Sequence, residues 1–290
     1  MTCANLAVEA RDLGFAVAAC AGELRGGSAT TVFRRVCTDS RQVRAGDLFF
    51  AIQGEKFDGH EFLGEVVAKG AVGVVIERER ERGRVPATLS TSAVIVVENT
   101  RVAFGQLAAA YRKDYSLPVI AVGGSNGKTT TKELIAAVLR EHGPTLASEA
   151  SFNNDIGVPA TLLQLDKQHQ AAVLEAGTNH PGELAPLVKW IQPRYGVITS
   201  IGREHLEFFG DVAGVAQEEG WLAELLPAAG KLFVNGDNEW TGRIASRTRA
   251  AVVRVGLNEG NAWRASEIRM DGRGTAFRVE APSPEFCGEY

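Results

Sequence analysis

Short apolar runs alternate with amphipathic stretches along most of this 290-residue chain. The runs at 72–76, 93–97, 119–122, 171–174, 197–200 and 231–234 read as strands buried on both faces. Between them, apolar positions recur at helical spacing over 61–70, 101–113 and 212–226. A further helix follows Gly127, with Leu134, Ile135, Val138 and Leu139 on its predicted apolar side, and stops at Gly143-Pro144. Strands separated by helices predict an α/β fold with a mostly parallel, doubly wound sheet. The first 35 residues read as one amphipathic helix and a connector. The stretch 36–52 is strand-like but broken by Asp39-Ser40-Arg41 and Ala45-Gly46-Asp47, and 54–60 is a polar loop. Near the end, 265–279 alternates in the manner of an antiparallel extension. Two units are expected: a small α/β domain over 1–114, and a larger one over 115–290 that opens at the linker Tyr115-Ser116-Leu117-Pro118.

Composition narrows the function classes. Apolar residues make up 45% and charged residues 23%, enough for ordinary cores, and the net charge is −4. That balance argues against a nucleic-acid or anionic-membrane surface as the main partner. The N-terminal stretch has no basic region followed by an apolar core, and no run approaches the roughly 18 apolar residues of a membrane helix. The four cysteines form no C-x-x-C pair and read as reduced thiols of a cytoplasmic protein, with zinc not expected. The alternating acids and bases at 77–84 read as a solvated surface.

The chemistry concentrates at 122–130, V-G-G-S-N-G-K-T-T. A strand, a glycine loop and a helix in direct succession aim backbone N–H groups and a helix N-terminus at one point, which suits a polyphosphate. Gly124, Ser125, Asn126, Gly127, Lys128, Thr129 and Thr130 form a shortened phosphate loop, with Val122 where the full motif has its first glycine. Lys128 would neutralise β/γ-phosphate charge and the Thr129 hydroxyl would ligate Mg²⁺. Ligands of open α/β sheets bind at the carboxyl ends of strands. Glu175 ends the run 171–174 and His205 lies in the loop after Ser200, so both should converge on that edge. A carboxylate there can hold Mg²⁺.

Several ordered motifs carry a resemblance. They are Gly124–Thr130, S-F-N-N-D-I-G-V-P at 151–159, E-A-G-T-N-H-P-G-E at 175–183 and H-L-E-F-F-G at 205–210. In the first unit, T-D-S-R at 38–41, G-D-L-F-F-A at 46–51 and G-E-K-F-D-G-H at 54–60 join them. Together they resemble the Mur ligases, and within them the members that join D-alanyl-D-alanine to a UDP-N-acetylmuramoyl-tripeptide. The resemblance implies a monomeric, cytoplasmic enzyme of peptidoglycan precursor synthesis with a UDP-sugar-binding first domain. ATP would phosphorylate the tripeptide carboxylate, and the dipeptide amine would displace phosphate. It further implies that a second Mg²⁺ bridges Glu175 and His205, that Asn154 lines the ATP cleft and that Asn179 and His180 approach the substrate. Ser40, Arg41 and His60 are candidates for the nucleotide-sugar end. A non-catalytic UDP-sugar and ATP-binding module is the alternative, and intact first-domain motifs argue against a kinase.

The sequence departs from that family in two places. The family carries a third domain, whereas this sequence ends at Tyr290 within the antiparallel extension, so a fragment is expected. The family also commonly has a carbamylated lysine supporting the second Mg²⁺. Glu219 stands there, on the apolar face of the 212–226 helix. A carboxylate so placed needs a cation, from a metal or a nearby lysine, and the metal environment is the preferred reading.

Overall fold

The structure is a computed structural model that describes residues 6–80, 92–272 and 274–290. It resolves into two compact units, Met1–Leu117 with Ser151–His169, and Pro118–Ala150 with Gln170–Tyr290.

The first unit is built on a six-stranded sheet. Its strands are β1 (Leu6–Asp12), β2 (Glu23–Arg25), β3 (Val32–Cys37), β4 (Asp47–Phe50), β5 (Gly73–Glu77) and β6 (Ala93–Val97), in the order β1-β3-β4-β5-β6-β2. The inner four are parallel, and β1 and β2 close the edges antiparallel. Val36, Cys37, Phe49, Phe50, Val74, Val75, Ile76 and Ile95 are buried in it. Residues 6–12 form a strand rather than the first part of a helix. They pair with the free edge of β3, Leu6 opposite Val36 and Asp12 opposite Val32. The Asp12 carboxylate then accepts the Phe15 N–H at 2.8 Å, which starts a separate helix at Leu13. Of the charged stretch 77–84, residues 81–84 lie outside the described residues.

Residues 1–114 do not complete this unit by themselves. The helix Gly157–Leu162, distant in sequence, packs on the helix Thr100–Arg112. The buried Tyr111 hydroxyl fixes this join. It donates to the Leu165 carbonyl at 2.9 Å and accepts from the Glu9 N–H at 3.0 Å and the Tyr115 hydroxyl at 2.6 Å.

The second unit has a nine-stranded sheet. Its strands are β7 (Val119–Gly123), β8 (Thr145–Ala147), β9 (Ala171–Glu175), β10 (Tyr195–Ile198), β11 (Lys231–Asn235), β12 (Ala251–Gly256), β13 (Trp263–Asp271), β14 (Gly274–Glu280) and β15 (Gly288–Glu289). The order is β15-β14-β13-β12-β11-β10-β7-β9-β8. Pairing is parallel from β8 to β13 and antiparallel from β13 to β15. The short β8 and the half-exposed β12 extend the sheet beyond the predicted runs. The sequence order reverses at β7, which has β9 on one side and β10 on the other. Such a switch point opens a crevice at the strand ends. Val122 lies opposite Glu175, and Gly123 opposite Ile198.

The helix Lys128–Arg140 turns a different face inward from the one its large apolar residues suggest. Leu134 and Val138 are each 64% exposed, while Lys132 and Ala136 are fully buried. Ile135 and Leu139 pack against the cluster of Ile120, Val122 and Val173. At about 100° per residue, positions 132, 135, 136 and 139 share a side, and 134 and 138 lie off it.

Replacing Tyr111 by Phe keeps the ring and orphans the Leu165 carbonyl, the Glu9 N–H and the Tyr115 hydroxyl. We expect a loss of about 1–3 kcal/mol, read by denaturant unfolding. A change below about 0.5 kcal/mol would show that the hydroxyl does not fasten residues 151–169.

Candidate functional site

The phosphate loop leaves β7 at the switch point and is held by close approach to the chain after β10. The Ser125 N–H donates to the Ser200 carbonyl at 2.7 Å, and the Gly202 N–H to the Ser125 hydroxyl at 2.9 Å. The Thr199 N–H and hydroxyl both reach the Gly123 carbonyl, at 3.1 and 3.2 Å. Gly124 has a φ of +110°, and a Cβ there would lie 2.5 Å from the Thr199 hydroxyl and 2.8 Å from the Ser200 carbonyl. Only glycine tolerates both the angle and the contact. Gly127, at φ +83°, turns the chain into the helix that begins at Lys128. Asn126 and Thr130 are exposed at the mouth. The Lys128 ammonium bonds to the Gly124 and Ser125 carbonyls at 2.5 and 3.3 Å and lies 3.8 Å from Glu204 Oε2. The ammonium thus lies over its own loop, where a phosphate seated on the loop N–H groups would meet it.

Beneath the loop, the Thr129 hydroxyl donates to Glu175 Oε2 at 2.8 Å. Glu175 is 1% exposed, and its own N–H donates to the Ser148 hydroxyl at 3.1 Å. The Ser148 carbonyl accepts from the buried Lys132 ammonium at 2.5 Å, and the Ala150 carbonyl from the same ammonium at 2.8 Å. Lys132 thus fixes the stretch 148–150, whose Ser148 hydroxyl holds the Glu175 N–H, and pairs with Glu133 at 3.0 Å. Thr129 and Glu175 fit a Mg²⁺ ion: both present hard oxygens, and Mg²⁺ is usually held by one or two carboxylates with substrate phosphates supplying the rest. Among the described residues, no group of three or more His, Cys, Asp or Glu side chains is arranged to hold a metal.

Glu219 lies behind the loop, fully buried on the helix Val212–Glu224. Its Oε2 accepts the Gly124 N–H at 2.7 Å, while Oε1 is buried without a hydrogen-bond partner. Burial pushes its carboxyl up to about 7; Lys128 opposes that shift and the nearby Glu204 adds to it. Among the described side chains Lys128 is the cation that acts on it, and its hydrogen bond is with the loop backbone. Glu204 also keeps one buried oxygen unpartnered.

The loop after β9 carries Asn179 and His180, both exposed. Glu183 organises it: Oε2 accepts the N–H groups of Asn179 and His180 at 2.8 and 3.0 Å, and Oε1 meets the His180 ring at 3.0 Å. Burial raises the Glu183 carboxyl, but these donors outweigh it and leave it below its ordinary value. The His180 ring also packs on Phe208, with centroids 4.1 Å apart. His205 starts the short helix Leu206–Phe209 at φ +44° and is exposed; among the described residues its ring makes no hydrogen bond or ion pair.

The remaining candidates belong to the first unit. His60 is 2% exposed, its Nε2 accepts the Glu77 N–H at 3.1 Å, and its Nδ1 lies 2.6 Å from the Asp58 carboxylate. Both ring nitrogens are engaged within the fold. Ser40 is nearly buried, and its carbonyl accepts from Lys69 at 2.9 Å. Arg41 is exposed and forks onto Asp39 at 2.9 and 2.8 Å, a hydrogen-bonded pairing that holds the Asp39 carboxyl down at about 2. The Asn154 side chain turns the chain into the helix Gly157–Leu162, accepting from the Ile156 and Gly157 N–H groups at 3.2 and 2.8 Å. Sequence reasoning missed Lys132, Ser148, Glu183, Glu204 and Glu218. Of these, Lys132 was within reach, because it shares a helical face with Ala136.

Known proteins match this arrangement. The model of the Mur ligase middle domain matches residues 122–287, and that of the Mur ligase family, catalytic domain, matches 32–112. The chain is 38% identical over 267 residues to the UDP-N-acetylmuramoyl-tripeptide–D-alanyl-D-alanine ligase of Escherichia coli (strain K12), covering 90% of this chain and 56% of the relative. The ligase of the same name from Bacillus subtilis (strain 168) is 34% identical over 250 residues, with 86% and 53% covered. Among solved structures, MurF from Acinetobacter baumannii superposes with a TM-score of 0.88 at 33% identity, covering 97% of this chain and 60% of that one. MurF ligase from Thermotoga maritima in complex with ADP gives 0.77 at 27% identity, with 86% and 56% covered. The chain spans little more than half the length of the relatives it matches.

The raised Glu219 carboxyl sets a pH dependence. Because its folded value, about 7, exceeds the ordinary 4.5, the folded state holds the extra proton in that window. Stability conferred by the protonated form is complete below pH 4.5 and declines as pH rises towards 7, on the order of 3 kcal/mol in all. Glu219→Gln removes this decline. Unfolding of both proteins across that range should show the variant gaining on the parent as pH rises; a difference that stays flat contradicts the placement of Glu219.

Proposed function

The chain belongs to the Mur ligase family, and we propose that it supplies the nucleotide-sugar and ATP-binding parts of a ligase that joins D-alanyl-D-alanine to a UDP-N-acetylmuramoyl-tripeptide. The observation that carries the reading is the identity to ligases of that name across 90% of the chain, including both units. The reaction is one of peptidoglycan precursor synthesis, carried out in the cytoplasm by a monomer. The first unit takes the UDP-sugar, with Ser40 and Arg41 at its turn as the contacts. The second unit takes ATP.

The geometry supports each step. ATP seats its phosphates on the N–H groups of Gly124–Thr130, and the Lys128 ammonium leaves the Gly124 and Ser125 carbonyls for the β- and γ-phosphate oxygens. Thr129 and Glu175 would hold Mg²⁺, with His205 and Glu219 as candidates around a second ion; when bound, the metal neutralises phosphate charge. Transfer between two anions depends on alignment and charge cancellation more than on covalent help by the protein. The tripeptide carboxylate attacks the γ-phosphorus and ADP leaves, giving an acyl phosphate. The dipeptide amine then attacks the acyl carbon, and the tetrahedral intermediate expels phosphate. Asn179 and His180 stand on the loop after β9, on the side from which the peptide substrates approach.

ADP release by the protein that carries this sequence should require both the UDP-linked tripeptide and D-alanyl-D-alanine. One ADP per site can form with the acyl phosphate alone, so sustained, multiple-turnover release independent of the dipeptide would overturn the assignment. Lys128→Ala removes two hydrogen bonds to its own loop and the cation beside Glu204 and Glu219, and in variant protein shown by circular dichroism to be folded it should lower kcat by about 100-fold or more.

A further inference from the structure

Glu218, next to Glu219 on the helix Val212–Glu224, is buried, with 5% of its surface exposed. Successive residues of a helix point about 100° apart. The two carboxylates accordingly face different loops. Glu218 Oε2 accepts the Gly182 N–H at 3.0 Å, and Oε1 accepts the Leu184 N–H at 2.9 Å. Glu219 Oε2 accepts the Gly124 N–H at 2.7 Å. One rigid helix therefore grips the loop after β9 with one side chain and the phosphate loop after β7 with the next. Two adjacent buried carboxylates repel, and Glu218 is one of the groups that raise Glu219. The fold accepts that cost where the N–H groups of two separate loops must be held at a set spacing.

What the first grip holds is the segment that presents Asn179. Glu183 accepts the N–H groups of Asn179 and His180, and Glu218 accepts those on either side of Glu183. The two carboxylates leave the Asn179 side chain exposed, without a hydrogen bond among the described residues. An exposed carboxamide on a fixed backbone offers an NH2 group that donates and a carbonyl oxygen that accepts, the complement of a peptide group's C=O and N–H.

We propose that Glu218 is a positioning residue: it fixes the 179–184 loop so that the Asn179 amide meets the peptide part of a substrate at a set distance from the phosphate loop. The role in turnover rests on the ligase reading above; the holding of the loop does not.

The test compares the parent with Glu218→Ala and Glu218→Gln. Amide hydrogen exchange at Gly182 and Leu184 should rise about tenfold or more in the alanine variant and less in the glutamine variant, which keeps one acceptor oxygen. In the ligase assay, KM for the tripeptide or the dipeptide should rise about tenfold while KM for ATP stays within about twofold. Unchanged exchange at both amides overturns the proposal whatever the turnover. So does raised exchange with unchanged peptide KM, or a KM for ATP that rises in step. A parent without ligase activity would count against the proposed function, and the exchange measurement would still decide whether Glu218 holds the loop.

Discussion

The second unit depends on the close approach of residues 123–126 to residues 199–202. Backbone and hydroxyl hydrogen bonds between the two stretches leave no room for a Cβ at Gly124. With that contact made, the chain must turn sharply at Gly127 and enter a helix at Lys128. The helix N-terminus, the lysine and the Thr129 hydroxyl then share one small volume at the end of β7. Because β7 is the switch strand, β9 and β10 deliver Glu175 and the 199–205 loop to the same place. The chemistry follows from strand order, since residues far apart in sequence reach a common edge without long excursions.

Charge balance is the second constraint. Glu204 and Glu219 lie close to Lys128, and Glu175 is held by the next residue, Thr129. In this state Lys128 and the loop N–H groups answer much of the negative charge. A polyphosphate arriving at the loop competes for Lys128 and brings more negative charge, so these carboxylates call for further cations as it binds. That is the electrostatic argument for a divalent metal here, and it comes from this chain's own side chains.

Much of this was legible in the sequence, and what was missed has physical causes. Continuous apolar runs such as 72–76 and 171–174 marked buried parallel strands, and the glycine–lysine–threonine spacing marked the phosphate loop. Residues 6–12 misled because β1 is a half-exposed edge strand whose pairing partner, β3, is remote from any local signal. The helix after the phosphate loop misled through size: Leu134 and Val138 are large and apolar, yet the buried stripe runs through Lys132 and Ala136. A buried lysine looks like a surface one until two carbonyls and a glutamate are seen around it. The sequence gives no sign that the His60 ring lies buried between Asp58 and the Glu77 N–H, because Glu77 is 17 residues away. Glu219 reads as lying on an apolar helical face, but only the structure shows that it and Glu218 hold two different loops.

The proposed ATP site rests on Glu175, paired with Thr129 under the glycine loop, as the group that would hold a divalent cation. Calorimetric titration with ATP, in the presence and absence of Mg²⁺, on the parent and on Glu175→Gln tests it most directly. The account predicts that Mg²⁺ tightens ATP binding in the parent and that the variant loses about tenfold or more of that gain. Equal affinity with and without Mg²⁺, or a variant that keeps the full gain, would contradict it.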